Sequence, residues 1–516
     1  MSIPPVESHL VVFPLEAWGH ARPLITLCAR VAKAGTTVVT FFTTVFFVER
    51  AKAELLRNFE ADEDVFLSRI RIVGLEHTGT VTSRALEDAF AAAWRKLDVG
   101  EEVVCVKTGS TFPSGPKPNA VIFDCFAHQP LRDAKAISGD GVKAYMWFPG
   151  LLSSFFTMFG PESLGGKGNV RLKAEEEAHR TGKTPVEVAS EMFQVREDVI
   201  RVSGMPPMYD YEHEPQDFPL PEEITAKIFI PAYESLMITD GVFIVTSESY
   251  EPEAVAALRG WYKELSKPAH VVGPLLPSGT RALAEEKQQS PLAQAIETFL
   301  DETLQTSGKQ SLLYISFGSI FWPVKNPDTV WAFLDVVMEL GIPFIFSHAS
   351  PLAGVLPDAF TEKVNAYGKG LLSPWSPQQL ILNHPATGWF VSHGGQNGAL
   401  EAITAGVPLI MWPFGADQPL NAVHLSENLG VAYELIEVRS GHGLKPILRN
   451  GRKAAGTTEA LQAEARDVLM KAFGEDGAKK RVKLQQLRGE VLSEWEEGGA
   501  SKRDFLAFLD TLSKTT

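Results

Sequence analysis

Cysteine is scarce: Cys28, Cys105 and Cys125 are the only three in 516 residues, and no two stand at C-x-x-C spacing. That excludes a disulfide framework and a cysteine zinc site, and it suits a reducing compartment. Long apolar runs are missing as well. Stretches such as Val38 to Val48 and Leu151 to Phe159 fall well short of the roughly 18 residues needed to span a bilayer. Positive charge is in deficit, with 48 Lys and Arg against 63 Asp and Glu and a net charge of -15. A nucleic-acid or anionic-membrane partner is therefore not expected. An anionic ligand would have to be met locally, by backbone N–H groups at a helix start. The start MSIPPVESHLVVFP has no basic segment before its short apolar run, so it reads as a first buried strand, and a cytoplasmic protein is the expectation. The first strand-to-helix turn, PLEAWGHARP, lacks the GxGxxG fingerprint, which argues against an NAD-dependent dehydrogenase. No repeat of solenoid period occurs.

What remains is ordinary folded composition, 45% hydrophobic and 22% charged. The length exceeds what one core usually supports, which predicts two domains. From His9 the chain reads as buried strand, amphipathic helix with Pro23 in its first turn and Gly35 as C-cap, then buried strand, a βαβ unit implying a parallel sheet. Strands at Ile70 to Leu75, Ala120 to Asp124, Lys143 to Phe148 and Gly241 to Thr246 extend it. After a Pro-, Ser- and charge-rich stretch the alternation resumes, with strands at Ser311 to Ser316, Pro343 to Phe346, Gly388 to Val391 and Pro408 to Trp412. The expected division is a first domain over 1–270, a linker over 271–292, a second domain over 293–488 and a C-terminal helical segment over 489–516.

Chemistry concentrates between Trp375 and Gln418. GWFVSHGGQNGALEAITAGVP reads as a strand ending near Ser392, a glycine-rich turn and a helix beginning near Asn397. Unpaired N–H groups at such a helix start favour phosphate oxygens. Gly394, Gly395 and Gly398 would let a pyrophosphate approach the backbone, and His393 and Asn397 would add hydrogen bonds. Glu401 lies one turn beyond Asn397, where its carboxylate would accept from ribose hydroxyls. Trp375, in a polar loop, is placed to stack on a planar base. Asp417 and Gln418 follow a strand end, the edge where open α/β sheets bind ligands, and suit adjacent sugar hydroxyls. Each piece alone also fits a structural role: a tight turn, a core aromatic, an ordinary loop.

Taken together, the residue types and their spacing resemble the nucleotide-sugar signature of the family 1 UDP-dependent glycosyltransferases. FPLEAWGHARPL, VIFDCF, SGMPPM, VVGPLLP and YISFGS resemble further landmarks of that family in order. The resemblance implies a GT-B fold, two facing Rossmann-like domains with the donor on the C-terminal one, the acceptor on the N-terminal one and the last helix crossing back. By position, Trp375 would stack on uracil and Ser376 meet the base through its backbone. Glu401 would hold the ribose, Gln378 would lie near the nucleoside, and His393, Asn397 and Ser319 would hold the diphosphate. Asp417 and Gln418 would hold the sugar. Gln396 and Gly398 stand where plant members usually have Trp and Ser, so HGGQNG looks more like animal and fungal members.

His20 follows the first strand at the same kind of sheet edge, and an imidazole there can accept a proton from an acceptor hydroxyl. Asp124 closes the strand AVIFD at that edge and would orient it, a pairing the resemblance supports. The apolar stretch Tyr145 to Phe159 fits either core packing or an acceptor pocket, with Trp18, Trp147, Phe148, Phe155 and Phe193 as candidate acceptor contacts. The expected activity is an inverting transfer of a sugar, glucose first, from a UDP-sugar co-substrate to a lipophilic phenolic, flavonoid or terpenoid hydroxyl. It is expected to need no metal and no tightly bound cofactor, and to work as a monomer. The one Asp-x-Asp, Asp62 to Asp64, reads as solvated surface. The rival readings are a UDP-sugar hydrolase or epimerase and a non-catalytic UDP-sugar-binding protein.

Overall fold

Two parallel sheets organise the chain. The structure is a computed structural model that describes residues 6–76, 83–113, 115–217, 228–279 and 281–513. Residues 1–5 and 514–516 of the expected outer segments, and 280 of the expected linker, lie outside them. The first sheet runs, in spatial order, Ile70–Leu75, Thr37–Thr44, Ser8–Phe13, Ala120–Asp124, Lys143–Phe148, Gly241–Ile244 and Ala269–Val271. The second runs Gly370–Ser373, Phe344–Ser347, Leu312–Ser316, Thr387–Ser392, Leu409–Met411 and Ala432–Glu434. In both, the third strand in chain order begins the row and the order of strand addition reverses between the first and fourth strands, which run parallel, the doubly wound arrangement that opens a crevice at that point.

Every residue of Ser8–Phe13 and Thr37–Thr44 is buried, which is why these strands read as near-continuous apolar runs. Three strands carried no such signal: Ala269–Val271, Gly370–Ser373 and Ala432–Glu434. Each lies at a sheet edge, spans three or four residues and is only partly buried. The expected linker contains a helix, Ala282–Gln288, whose Glu286 carboxylate accepts from the backbone N–H groups of Gln379 and Leu380 at 3.0 Å. It thereby caps the helix Gln378–Asn383, where Pro377 at the N-cap offers no side-chain cap of its own. The last helix, Ala500–Ser513, packs on the first sheet: Asn119 Nδ2 donates to the Leu512 carbonyl at 2.8 Å and Ser501 Oγ to the Gly273 carbonyl at 2.6 Å. No helix among the described residues is long and apolar enough to cross a membrane.

One boundary corrects the sequence reading. The first helix begins at Trp18, not near Pro23, so Pro23 is its sixth residue and His20 sits in its first turn rather than in a loop. An internal proline supplies no N–H to the carbonyl four residues back, here that of Gly19. Asn397 Nδ2, from the second domain, donates to that carbonyl at 2.6 Å. A donor from across the cleft thus takes the place of the missing helical one.

Candidate active site

The switch points of the two sheets face each other across a cavity of about 420 Å³, lined from both domains and within the range of small-molecule sites. On the first-domain side, the helix start presents His20 and the end of the strand Ala120–Asp124 presents Asp124. His20 Nδ1 lies 2.8 Å from Asp124 Oδ2, with the Asp124 side chain wholly buried and the His20 side chain 23% exposed. Asp124 Oδ1 accepts from the Phe126 N–H at 3.1 Å, so the carboxylate is anchored while it orients the ring. Burial alone would lower the imidazole. The charge and hydrogen bond of Asp124, with the charge of Asp417, outweigh it and leave His20 above its ordinary 6.5. Cys125 completes a convergent trio with His20 and Asp124. Its thiol is pushed well up, by burial first and then by Asp124, and stays protonated, which opposes metal ligation.

On the second-domain side, Thr387–Ser392 ends in the turn that starts the helix Gln396–Ala405. Gly394 has φ +91°, a conformation that side-chain-bearing residues rarely adopt. A Cβ on Gly395 would come within 2.7 Å of His393 Nε2, so the turn lies tight against that ring. Burial lowers His393 to about 4, and it is neutral at pH 7 with Nδ1 lacking a hydrogen-bond partner among the described residues. Asp417 Oδ2 accepts from the Gln396 N–H at 3.1 Å, and burial raises its carboxyl to about 6.

The two walls thus bring a glycine-rich helix start and an oriented imidazole to one cavity. A family described as UDP-glucoronosyl and UDP-glucosyl transferase matches residues 262–449. The chain is 29% identical to UDP-glycosyltransferase eriJ of Hericium erinaceus over 527 residues, spanning 98% of this chain and 99% of that protein. These matches support a family 1 UDP-dependent glycosyltransferase. It is also 26% identical to anthocyanidin 3-O-glucosyltransferase 5 of Manihot esculenta, over 96% of this chain and 93% of that one. A UGT transferase from Siraitia grosvenorii, solved in complex with UDP, shares the fold with a TM-score of 0.67 at 20% identity, over 98% of this chain and all of that one. The fold is GT-B.

In this glycosyltransferase the residues from Trp375 to Gln418 converge on one wall. Ser319, Trp375, Ser376, Gln378, His393, Gly395, Asn397, Gly398, Glu401, Asp417 and Gln418 all line the cavity. Several are already engaged. Gln378 Nε2 donates to Glu401, while its Oε1 accepts from the Tyr314 hydroxyl at 3.3 Å. Gln418 Oε1 accepts from the Phe414 N–H at 2.9 Å, and Ser376 Oγ is buried with no hydrogen-bond partner among the described residues. Asn397 contacts Gly19 as described, and Glu401 forms an ion pair with Arg22 of the first domain. The departure Gln396 is buried and donates from Nε2 to the Val245 carbonyl at 3.1 Å, tying its helix to the end of the strand Gly241–Ile244 in the first sheet. At Gly398 an added Cβ would meet nothing closer than 3.7 Å, so packing does not require glycine there.

The acceptor candidates divide. Phe148 and Trp18 line the cavity, although the Arg50 guanidinium lies 3.8 Å over the Trp18 ring. Trp147, Phe155 and Phe193 do not line it. Trp147 is fully buried and its Nε1 donates to the His20 carbonyl at 3.0 Å, a support for the helix start. Phe155 packs in the core against Phe148 and Phe159 at 5.1 and 5.3 Å. Phe193 packs on Phe229 at 5.2 Å in a separate cluster. Met158, within the stretch Tyr145 to Phe159 expected as an acceptor pocket, lines the cavity as well; sequence reasoning missed Phe126, Phe321 and Arg22, which line it too, and Arg50. Arg50 is stacked between Trp18 and Trp375, 4.2 Å over the latter, bridging the domains. Phe126 and Phe321 stand in short loop segments with no periodicity to say which way their rings turn. Asp64 pairs with Arg281 at 2.8 Å on the surface, and Asp62 is exposed.

Proposed function

We propose that the protein transfers a glucosyl group from UDP-glucose to a hydroxyl of a lipophilic small molecule, with inversion at the anomeric carbon. The observation that carries this reading is the 2.8 Å contact between His20 Nδ1 and Asp124, which commits Nδ1–H to the carboxylate and leaves Nε2 as the base, in a cavity shared with the glycine-rich turn. The acceptor O–H proton passes to Nε2 as the new bond from oxygen to the anomeric carbon forms. The bond from that carbon to the diphosphate oxygen breaks on the opposite face, and UDP departs with the negative charge. Asp124 steadies the imidazolium. The helix start at Gln396, with His393 and Ser319, receives the charge on the leaving diphosphate, so this reading needs no metal.

In this reading Trp375 stacks on uracil, Ser376 and Gln378 border the nucleoside, Glu401 takes the ribose, and Asp417 with Gln418 takes the sugar. Residues 1–270 form the acceptor domain, 271–292 the linker, 293–488 the donor domain, and 489–516 the returning helix. Glucose is favoured by the glucosyltransferase names among the relatives. A lipophilic acceptor is favoured by Phe126, Phe148 and Met158, with Phe321 from the second domain, in the lining of the cavity that holds His20. The test is incubation with UDP-glucose, UDP-galactose or UDP-glucuronate and a panel of phenols, flavonoids and terpenoid alcohols, read by mass. Glucosylated product is expected. Donor hydrolysis with no acceptor product for any pair would overturn the reading in favour of a hydrolase.

A further inference from the structure

We propose that Arg22, on the helix that carries His20, is a second ribose-reading residue for the donor, working across the cleft with Glu401. This rests on the reading of Glu401 as the ribose contact. The helix Gln396–Ala405 meets the start of the helix Trp18–Ala34 at two points one turn apart, Asn397 on the Gly19 carbonyl and Glu401 on Arg22. His20 lies between Gly19 and Arg22, so the two helices are registered at the base itself.

Arg22 is buried and held in a fixed geometry: Nε donates to Glu54 Oε1 at 3.0 Å and Nη1 pairs with Glu401. Glu54 is itself wholly buried and shared with Arg57, whose Nη1 lies 2.8 Å from Glu54 Oε2. The guanidinium plane is thus set by partners that do not belong to the ligand. Arg22 lines the cavity, yet its Nη2 has no hydrogen-bond partner among the described residues. A buried guanidinium N–H left without an acceptor is unfavourable, and because Nη2 shares its carbon with the Nη1 that pairs with Glu401, an acceptor for it would lie near that carboxylate. A ribose hydroxyl fits that place, because it donates to the carboxylate while its oxygen accepts from Nη2. A sugar carbon without its hydroxyl satisfies neither.

The test is calorimetric binding of UDP, 2′-deoxy-UDP and 3′-deoxy-UDP to the wild-type protein and to Arg22→Met, Arg22→Lys and Glu401→Ala, with thermal melting of each. The wild type is expected to prefer UDP over at least one deoxy analogue by tenfold or more, as for a charge-assisted hydrogen bond. Arg22→Met is expected to shrink that preference at least threefold, and Arg22→Lys, which keeps the positive charge, to restore part of it. A merely structural role would weaken UDP and its deoxy analogues alike, leaving the ratio unchanged, and that result overturns the proposal. If Arg22→Met does not fold, an unchanged ratio in Arg22→Lys, which loses the planar fork, overturns it as well. Unaltered UDP affinity in Glu401→Ala would instead reject the ribose assignment on which the proposal rests.

Discussion

The imidazole of His20 is raised by a buried carboxylate despite its own burial, and this has a direct kinetic consequence. A base works only when unprotonated, so kcat/KM should fall as the pH drops through a value above 6.5. Asp124→Asn removes the charge that raises it and presents an amide in place of the acceptor of Nδ1–H. The acidic limb of the pH profile is expected to move to lower pH, and kcat to drop by about 10² to 10⁴-fold. A profile with its limb unmoved would contradict the pairing. The residue scale is also where sequence and structure part most clearly. The spacing from Trp375 to Gln418 could be read because those residues sit at strand ends and one helical turn apart. Trp147 and Phe155 could not be distinguished from Phe148, because in an apolar run that spans the end of a strand and the helix after it nothing local says which ring turns to the core.

At the scale of elements, the helix Trp18–Ala34 shows why a proline was misplaced by local rules. Proline is favoured in a first helical turn because the N–H it lacks would be unpaired there anyway. Pro23 is tolerated further in because the Gly19 carbonyl it leaves unpaired is reached by Asn397. That compensation depends on the docking of two domains and has no trace in the sequence around Pro23. The interaction is open to a double-mutant cycle. In Pro23→Ala the backbone N–H returns to the Gly19 carbonyl, so Asn397→Ala should cost less stability in that background than in the wild type, by about 0.5 kcal/mol or more. Equal costs in thermal unfolding would show that the two positions are independent. The short edge strands belong to the same lesson: three or four residues, partly buried, give too little alternation or apolar density to be read.

At the scale of the molecule, the doubly wound order of both sheets sets their switch points face to face, and the division of labour follows from that geometry. The first domain supplies the oriented imidazole and the apolar residues Phe126, Phe148 and Met158, while the second supplies Trp375, Phe321, the glycine-rich helix start and Asp417 with Gln418. Contacts of Arg57 with Glu54, the Ala282 carbonyl and Gln379 fasten first domain, linker and second domain together. The alternation of strands and helices made two such domains legible in the sequence. The buried charges between them were not, since Arg22, Glu54, Arg57 and Glu286 look like surface residues until the domains meet. The base and the stacking Trp375 lie on facing walls of one cavity, so loss of either should affect a different step. Measuring kcat and UDP affinity side by side for His20→Ala and Trp375→Ala separates the two. His20→Ala is predicted to lose about 10² to 10⁴-fold in kcat with UDP affinity unchanged. Trp375→Ala should weaken UDP binding by roughly tenfold, for a lost base stack. Unchanged turnover in His20→Ala with intact UDP binding would contradict the account.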